Sequence, residues 1–249
     1  MGVKKYIPNA LTMGNLLSGC IAMLFAVHDQ MEYVAIFVAL GIFFDFFDGF
    51  FARLLNVQSE VGLQLDSLAD MVTSGVVPGV VMYQLLLDAT DMPWDASLED
   101  YHFNIAYVGF MITLASAYRL AKFNVDDRQT NSFIGLPTPA NTLFIISIPL
   151  ILMYVEYAFA KAIFENPYAL IAITIASSYM LNAEIHLFAL KFKTWDFAKN
   201  KVRYLFILMS IILIIFLHYL AIPLLIVLYV LLSLIFPEKD TINYSTKNE

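Results

Sequence analysis

Residues 45–70 read DFFDGFFARLLNVQSEVGLQLDSLAD, which sets Asp45, Asp48, Asp66 and Asp70 in apolar sequence with Gly49, Ala52, Arg53 and Gly62 between them. An ionised side chain at the centre of a membrane helix costs about 2.5–3.5 kcal/mol on insertion scales. Four carboxylates within one helical hairpin therefore call for a compensating cation. On a helix, Asp45, Asp48, Gly49 and Ala52 follow the i, i+3, i+4, i+7 spacing and share one face, while Gly62, Asp66 and Asp70 repeat at four. The link from Leu54 to Val61 is short enough to make the two helices antiparallel neighbours, with their carboxylates facing each other. Such a cluster repels itself unless cations bind.

The chain around this stretch is apolar throughout. Of its 249 residues 60% are hydrophobic and 14% charged, and its mean hydropathy of +0.73 reads as an all-α, polytopic membrane helical bundle. The continuously apolar runs lack the period-two alternation of a β-barrel. Segments long enough to cross a bilayer fall at roughly 11–27, 33–54, 64–87, 104–124, 139–159, 167–190, 203–219 and 221–236, about eight transmembrane helices in all. We expect one integral membrane domain over residues 1–249, with a core at 5–190 and two additional C-terminal spans at 203–236. The apolar run after Lys4 and Lys5 lacks an A-x-A cleavage pattern and is interrupted by Asn9, Thr12 and Asn15, so it is expected to stay as the first span. A single cysteine, Cys20, excludes an intramolecular disulfide and reads as a small packing residue.

The basic residues set the orientation. With both termini cytoplasmic and eight spans, Lys4, Lys5, Arg53, Arg119, Lys122, Arg128, Lys191, Lys193, Lys199, Lys201, Arg203, Lys239 and Lys247 fall inside, leaving only Lys161 outside. The outer loops are acidic, with Asp29, Glu32, Asp88, Asp91, Asp95, Glu99, Asp100, Glu156 and Glu165. The four motif aspartates then lie toward the cytoplasmic side, in a cell inner membrane. The basic, aromatic loop 191–203 suits contact with anionic lipid headgroups.

Oxygen ligands without Cys or His favour Mg²⁺ or Mn²⁺, with Ca²⁺ also admissible, over zinc. Four aspartates suffice for two divalent cations. Gly49 and Ala52 beside Asp45 and Asp48 let a bulky ligand approach the helix, and Arg53 adds a positive charge, a set that suits a diphosphate. Three flanking stretches carry further polar groups. Asn9, Thr12 and Asn15 share one face of the first helix, which either caps and packs or turns toward the aspartates. Arg119 either snorkels to the interface or holds an anionic group. Gly135, Pro137 and Pro139 stop one helix and start the next. Glu184 and His186 receive no role.

The pattern Asp45-x2-Asp48-Gly49-x2-Ala52-Arg53-x8-Gly62-x3-Asp66-x3-Asp70 resembles the signature of the CDP-alcohol phosphotransferases at all eight of its fixed positions. The resemblance implies a metal-dependent transfer of a substituted phosphate from a CDP-linked donor to an alcohol, with release of CMP. It implies Asp45, Asp48, Asp66 and Asp70 as metal ligands and Asp70 also as the catalytic base. Gly49, Ala52 and Arg53 take nucleotide and diphosphate contacts, and Gly62 permits close helix packing on the CDP side. The segments from Ile7 to Gly19 and from Arg119 to Ala140 are similar to those of membrane-embedded phosphatidylserine synthases. That implies CDP-diacylglycerol as donor and L-serine as acceptor, with Thr12 and Asn15 on the cytidine side and Arg119, Asn124 and Thr138 holding serine.

The signature alone leaves glycerol 3-phosphate and inositol phosphate open as acceptors. A divalent-cation transporter and a scaffold or lipid-binding protein without chemistry are the readings from other classes. The remaining expected partners are membrane lipids and a second copy in a homodimer, and no nucleic acid is expected.

Overall fold

The computed structural model describes residues 6–92, 104–126, 133–188 and 200–236. The long apolar runs become helices, giving α1 (Tyr6–Val27), α2 (Met31–Leu54) and α3 (Glu60–Asp88) in the first third of the chain. After a 3₁₀ turn at Ile105–Phe110 come α4 (Met111–Val125), α5 (Thr138–Tyr154), α6 (Ala158–Phe164), α7 (Pro167–Asn182), α8 (Lys201–Leu217) and α9 (Ala221–Ile235). A two-residue antiparallel pairing of Phe133–Ile134 with His186–Leu187 is the extended structure among the described residues.

Helix α3 is the central pole. Every residue from Val77 to Leu87 is buried, whereas α1 and α2 turn much of their surface outward. Its C-terminal half packs on α1, α4, α5 and α7 through Met82, Leu86, Ile112, Ile145 and Ile148. Gly109 makes a close crossing with the backbone of α3, since a Cβ there would stand 2.7 Å from the backbone nitrogen of Tyr83. Backbone cannot yield as a side-chain tip does, so Gly109→Ala is expected to destabilise the bundle by about 1–3 kcal/mol. Thermal unfolding in detergent checks it, and an unchanged midpoint would contradict the crossing.

Midway along α3, Met71–Val76 form a π turn immediately after Asp70. Pro78 has no N–H to offer the Ser74 carbonyl four residues back. Hydroxyls from neighbouring helices lie against the carbonyls of this turn: Thr142 Oγ1 stands 3.0 Å from Ser74 O and 2.9 Å from Thr138 O, and Thr113 Oγ1 donates to Gly75 O at 2.9 Å. The turn thereby ties Asp70 to both α4 and α5.

Among the described residues, four helical stretches are long and apolar enough to cross a membrane: Tyr6–Val27, Met31–Leu54, Glu60–Asp88 and Lys201–Ile235. The pair Ala158–Phe164 and Pro167–Asn182, bent by 73°, makes a fifth if it counts as one span. The expected eight are therefore not all long apolar rods. The 35-residue stretch also doubles back at His218, where φ is 49°, because the Phe206 and Tyr229 rings lie 5.9 Å apart. Its arms are 17 and 15 residues long.

The structure departs from two further expectations. Cys20 is exposed on the outward face of α1 rather than packed, because Ser18, Gly19 and Ala22 take the inward positions. Helices α2 and α3 bring Asp45, Asp48 and Asp66 together as expected, but their backbones stay apart over most of their lengths and α1 packs against both. A cleft is left open between them. Of the basic residues placed inside, Lys4, Lys5, Arg128, Lys191, Lys193, Lys199, Lys239 and Lys247 lie outside the described residues, as do Asp95, Glu99 and Asp100.

Candidate active site

Asp45 and Asp48 from α2 and Asp66 from α3 each direct one carboxylate oxygen into a group whose atoms all lie within 4.8 Å of one another. Asp48 is buried, and its Oδ2 accepts a 2.6 Å hydrogen bond from Thr12 Oγ1. The Pro8 carbonyl stands 3.1 Å from the same hydroxyl. A hydroxyl has one proton, and the shorter, charge-assisted bond to the carboxylate takes it. Asp66 Oδ1 is buried with no hydrogen-bond partner among the described residues.

Oxygen donors alone, crowded together, with one buried oxygen unsatisfied, fit a hard divalent cation and suit a soft one poorly. Asp70 is not part of this three-carboxylate group. Its Oδ1 accepts from Asn15 Nδ2 at 3.1 Å, and it lies within electrostatic reach of Arg119.

The cleft between α2 and α3 is a cavity of about 500 Å³. Thr12, Asp48, Gly49, Ala52, Arg53, Gly62 and Asp66 all line it, so most of the residues assigned to the nucleotide and the metal share one cavity. The Arg53 guanidinium lies over Gly49, where a Cβ would come within 3.4 Å of it. At Gly62 a Cβ would press on Ser59 Oγ at 3.1 Å and reach ordinary contact with Asn9 Oδ1 at 3.5 Å, which places the first turn of α1 beside the cavity. Asn15 does not line the cavity; it is fully buried behind the carboxylates. The polar face of α1 is thus turned toward the aspartates.

The residues assigned to serine lie on the other side of α3. Arg119 is 7% exposed, sits 5.9 Å from the Phe123 ring centroid, and its Nε has no hydrogen-bond partner among the described residues. Asn124 exchanges hydrogen bonds with Ser67, the residue after Asp66, at 2.9 and 3.2 Å. Thr138 opens α5 and is buried. Gly135 carries φ +76° where its backbone N–H reaches the Ile185 carbonyl at 2.9 Å, a left-handed position that favours glycine. Glu184 acquires a partner, accepting from Lys122 Nζ at 2.6 Å, which ties the end of α4 to the segment after α7.

Several cavity residues carry little sequence signal. Val57, Gln58, Ser59, Glu60 and Leu63 form its rim. Of these only Ser59 is readable, as the N-cap of α3 whose Oγ accepts from the Gly62 N–H at 3.0 Å. Nothing in the spacing marks Ser67.

The model of the CDP-alcohol phosphatidyltransferase family matches residues 5–178, which contain both walls of the cavity and all four aspartates. The chain belongs to the CDP-alcohol phosphatidyltransferase family. As a member of it, the chain is 33% identical over 139 residues to a Bacillus subtilis protein named CDP-diacylglycerol–serine O-phosphatidyltransferase, covering 54% of this chain and 70% of that one. A Mycobacterium leprae protein of the same name is 30% identical over 151 residues, covering 58% of this chain and 46% of the relative. The Methanothermobacter thermautotrophicus protein named archaetidylserine synthase is 30% identical over 157 residues, or 62% of each chain. The chain thus spans about half the length of the mycobacterial relative and more of the other two. The C-terminal hairpin of α8 and α9 lies beyond the family match.

Proposed function

We propose that this phosphatidyltransferase carries the phosphatidyl group of CDP-diacylglycerol to the hydroxyl of L-serine, giving phosphatidylserine and CMP. The observation that carries the reading is the 500 Å³ cavity, which joins the carboxylate group to Arg53 and to the glycine wall that a nucleotide diphosphate needs. The names of the Bacillus and Mycobacterium relatives support serine as the acceptor. Asp45, Asp48 and Asp66, with Asp70, would hold two divalent cations, Mg²⁺ or Mn²⁺. Bound there, the cations supply charge neutralisation of the diphosphate.

The chain's own residues do the rest. Thr12, Gly49, Ala52, Arg53 and Gly62 form the CDP side, and the Arg53 guanidinium pairs with the diphosphate. Arg119, Asn124 and Thr138 form the serine side, and Arg119 pairs with the serine carboxylate. Asp70 Oδ2, left free by Asn15, accepts the serine hydroxyl proton. The serine oxygen then forms a bond to the phosphorus that carries diacylglycerol, and the bond from that phosphorus to the CMP oxygen breaks in line.

The same reading puts the chain in a cell inner membrane as a single domain over residues 1–249, in eight spans with both termini and the cavity on the cytoplasmic side. It also takes the enzyme to be a homodimer. Two spans would then be the short arms of the C-terminal hairpin.

A membrane assay with CDP-diacylglycerol and Mn²⁺ or Mg²⁺, offering serine, glycerol 3-phosphate and inositol phosphate in turn, tests the acceptor. Phosphatidylserine and CMP are expected with serine only. Product from either phosphorylated alcohol without product from serine would overturn the choice.

A further inference from the structure

Helix α1 offers two hydrogen-bond donors to the carboxylates three residues apart, Thr12 to Asp48 and Asn15 to Asp70. Asn15 is the more unusual. It is completely buried, it does not line the cavity, and its Oδ1 has no hydrogen-bond partner among the described residues. Burying an amide with an unpaired acceptor costs free energy that an apolar side chain of the same size would not incur.

The surroundings are nonetheless shaped to keep the amide in place. A Cβ on Gly41 would stand 2.9 Å from Asn15 Oδ1 and 2.7 Å from Thr73 Cγ2, and a Cβ on Gly19 would collide with the Thr73 hydroxyl. Thr73 Oγ1 in turn donates to the Asn15 backbone carbonyl at 3.1 Å. Two glycines therefore hold open the slot, and the π turn after Asp70 pins the backbone of α1 beside it. The carboxylate accepts only, so the amide nitrogen must be the group that faces Asp70.

The geometry points to Asn15 as a positioning residue for Asp70, its amide holding Oδ1 so that Oδ2 is the oxygen presented to the incoming hydroxyl. This rests on the reading of Asp70 as the base, and it removes Asn15 from the nucleotide contacts. Helix α1 then serves as the strip that orients carboxylates from α2 and α3, which make little direct contact with each other.

The test uses the full chain in detergent with Asn15→Leu, which keeps the size and removes the donor. The readouts are kcat, KM for each substrate, CMP affinity in the presence of Mg²⁺, and the thermal unfolding midpoint. Loss of an outer-shell partner typically costs about 10–100-fold, and that loss is expected in kcat with both KM values and CMP affinity unchanged. A fall in CMP affinity would make Asn15 a nucleotide contact and overturn the inference, as would an unchanged kcat.

If Asn15→Leu does not fold, Gly41→Ala decides, because its added Cβ presses on the amide and on Thr73 Cγ2 while meeting no atom of Asp70. A drop in kcat at constant KM supports positioning; an unaltered kcat overturns it. Asp70→Asn separates the two readings. Turnover retained in Asp70→Asn removes the base and this inference together, whereas an inactive Asp70→Asn beside an unimpaired Asn15→Leu removes the inference alone.

Discussion

Asp70→Asn is expected to lower turnover by about 10²–10⁴-fold, the usual contribution of a positioned general base, while CMP still binds. The amide is isosteric and keeps the contact to Asn15 within reach, so packing changes little. What it loses is the ability to take a proton. Asp70 is not one of the three carboxylates whose oxygens lie within 4.8 Å of one another, so a loss confined to turnover would mark it as the base, beyond any share it has in holding metal. Single-turnover measurement of CMP release, alongside CMP binding in the presence of Mg²⁺, distinguishes the two. Equal losses in binding and turnover would instead make Asp70 chiefly a ligand.

Chelation is the second large effect. Removing divalent cations with EDTA is expected to bring activity to background, and Mg²⁺ or Mn²⁺ to restore it. Asp66→Asn replaces a carboxylate whose Oδ1 is buried without a partner among the described residues. Its requirement for added metal should rise by more than the ~10–100-fold typical of losing an outer-shell partner. A titration of activity against metal concentration checks this. If Asp66→Asn has the metal dependence of the unsubstituted chain, Asp66 is not a ligand.

Much of the site is legible in the chain itself because carboxylates in apolar sequence are expensive and helical spacing is regular. Asp45, Asp48 and Asp66 meet as their intervals require. The polar face of Asn9, Thr12 and Asn15 is open to two readings on spacing alone, and the hydrogen bonds to Asp48 and Asp70 settle which way it turns. Ser67 and the rim residues Val57 and Gln58 carry no such signal because their positions depend on how helices are set against one another, and local spacing does not encode that.

The count of spans is legible only in outline. Hydropathy marks where a segment can lie in a membrane, but Pro78, the bend after α6 and the reversal at His218 determine how straight each piece is. Cys20 shows the same limit from another side. A small residue in an apolar run has two faces to choose from, and its neighbours Gly19 and Ala22 won the inner one.

The sequence by itself determined that this is a helical membrane protein with a carboxylate cluster and a family signature, because hydropathy and residue spacing are local properties. Tertiary structure alone decided that α1 lies against both aspartate helices, that the cleft between them stays open as a cavity, and that Asp70 accepts a hydrogen bond from Asn15. The packing of α1 on both helices and the seat of Asn15 rest on close approaches at Gly19 and Gly41, where the missing Cβ leaves room for a partner distant in the chain.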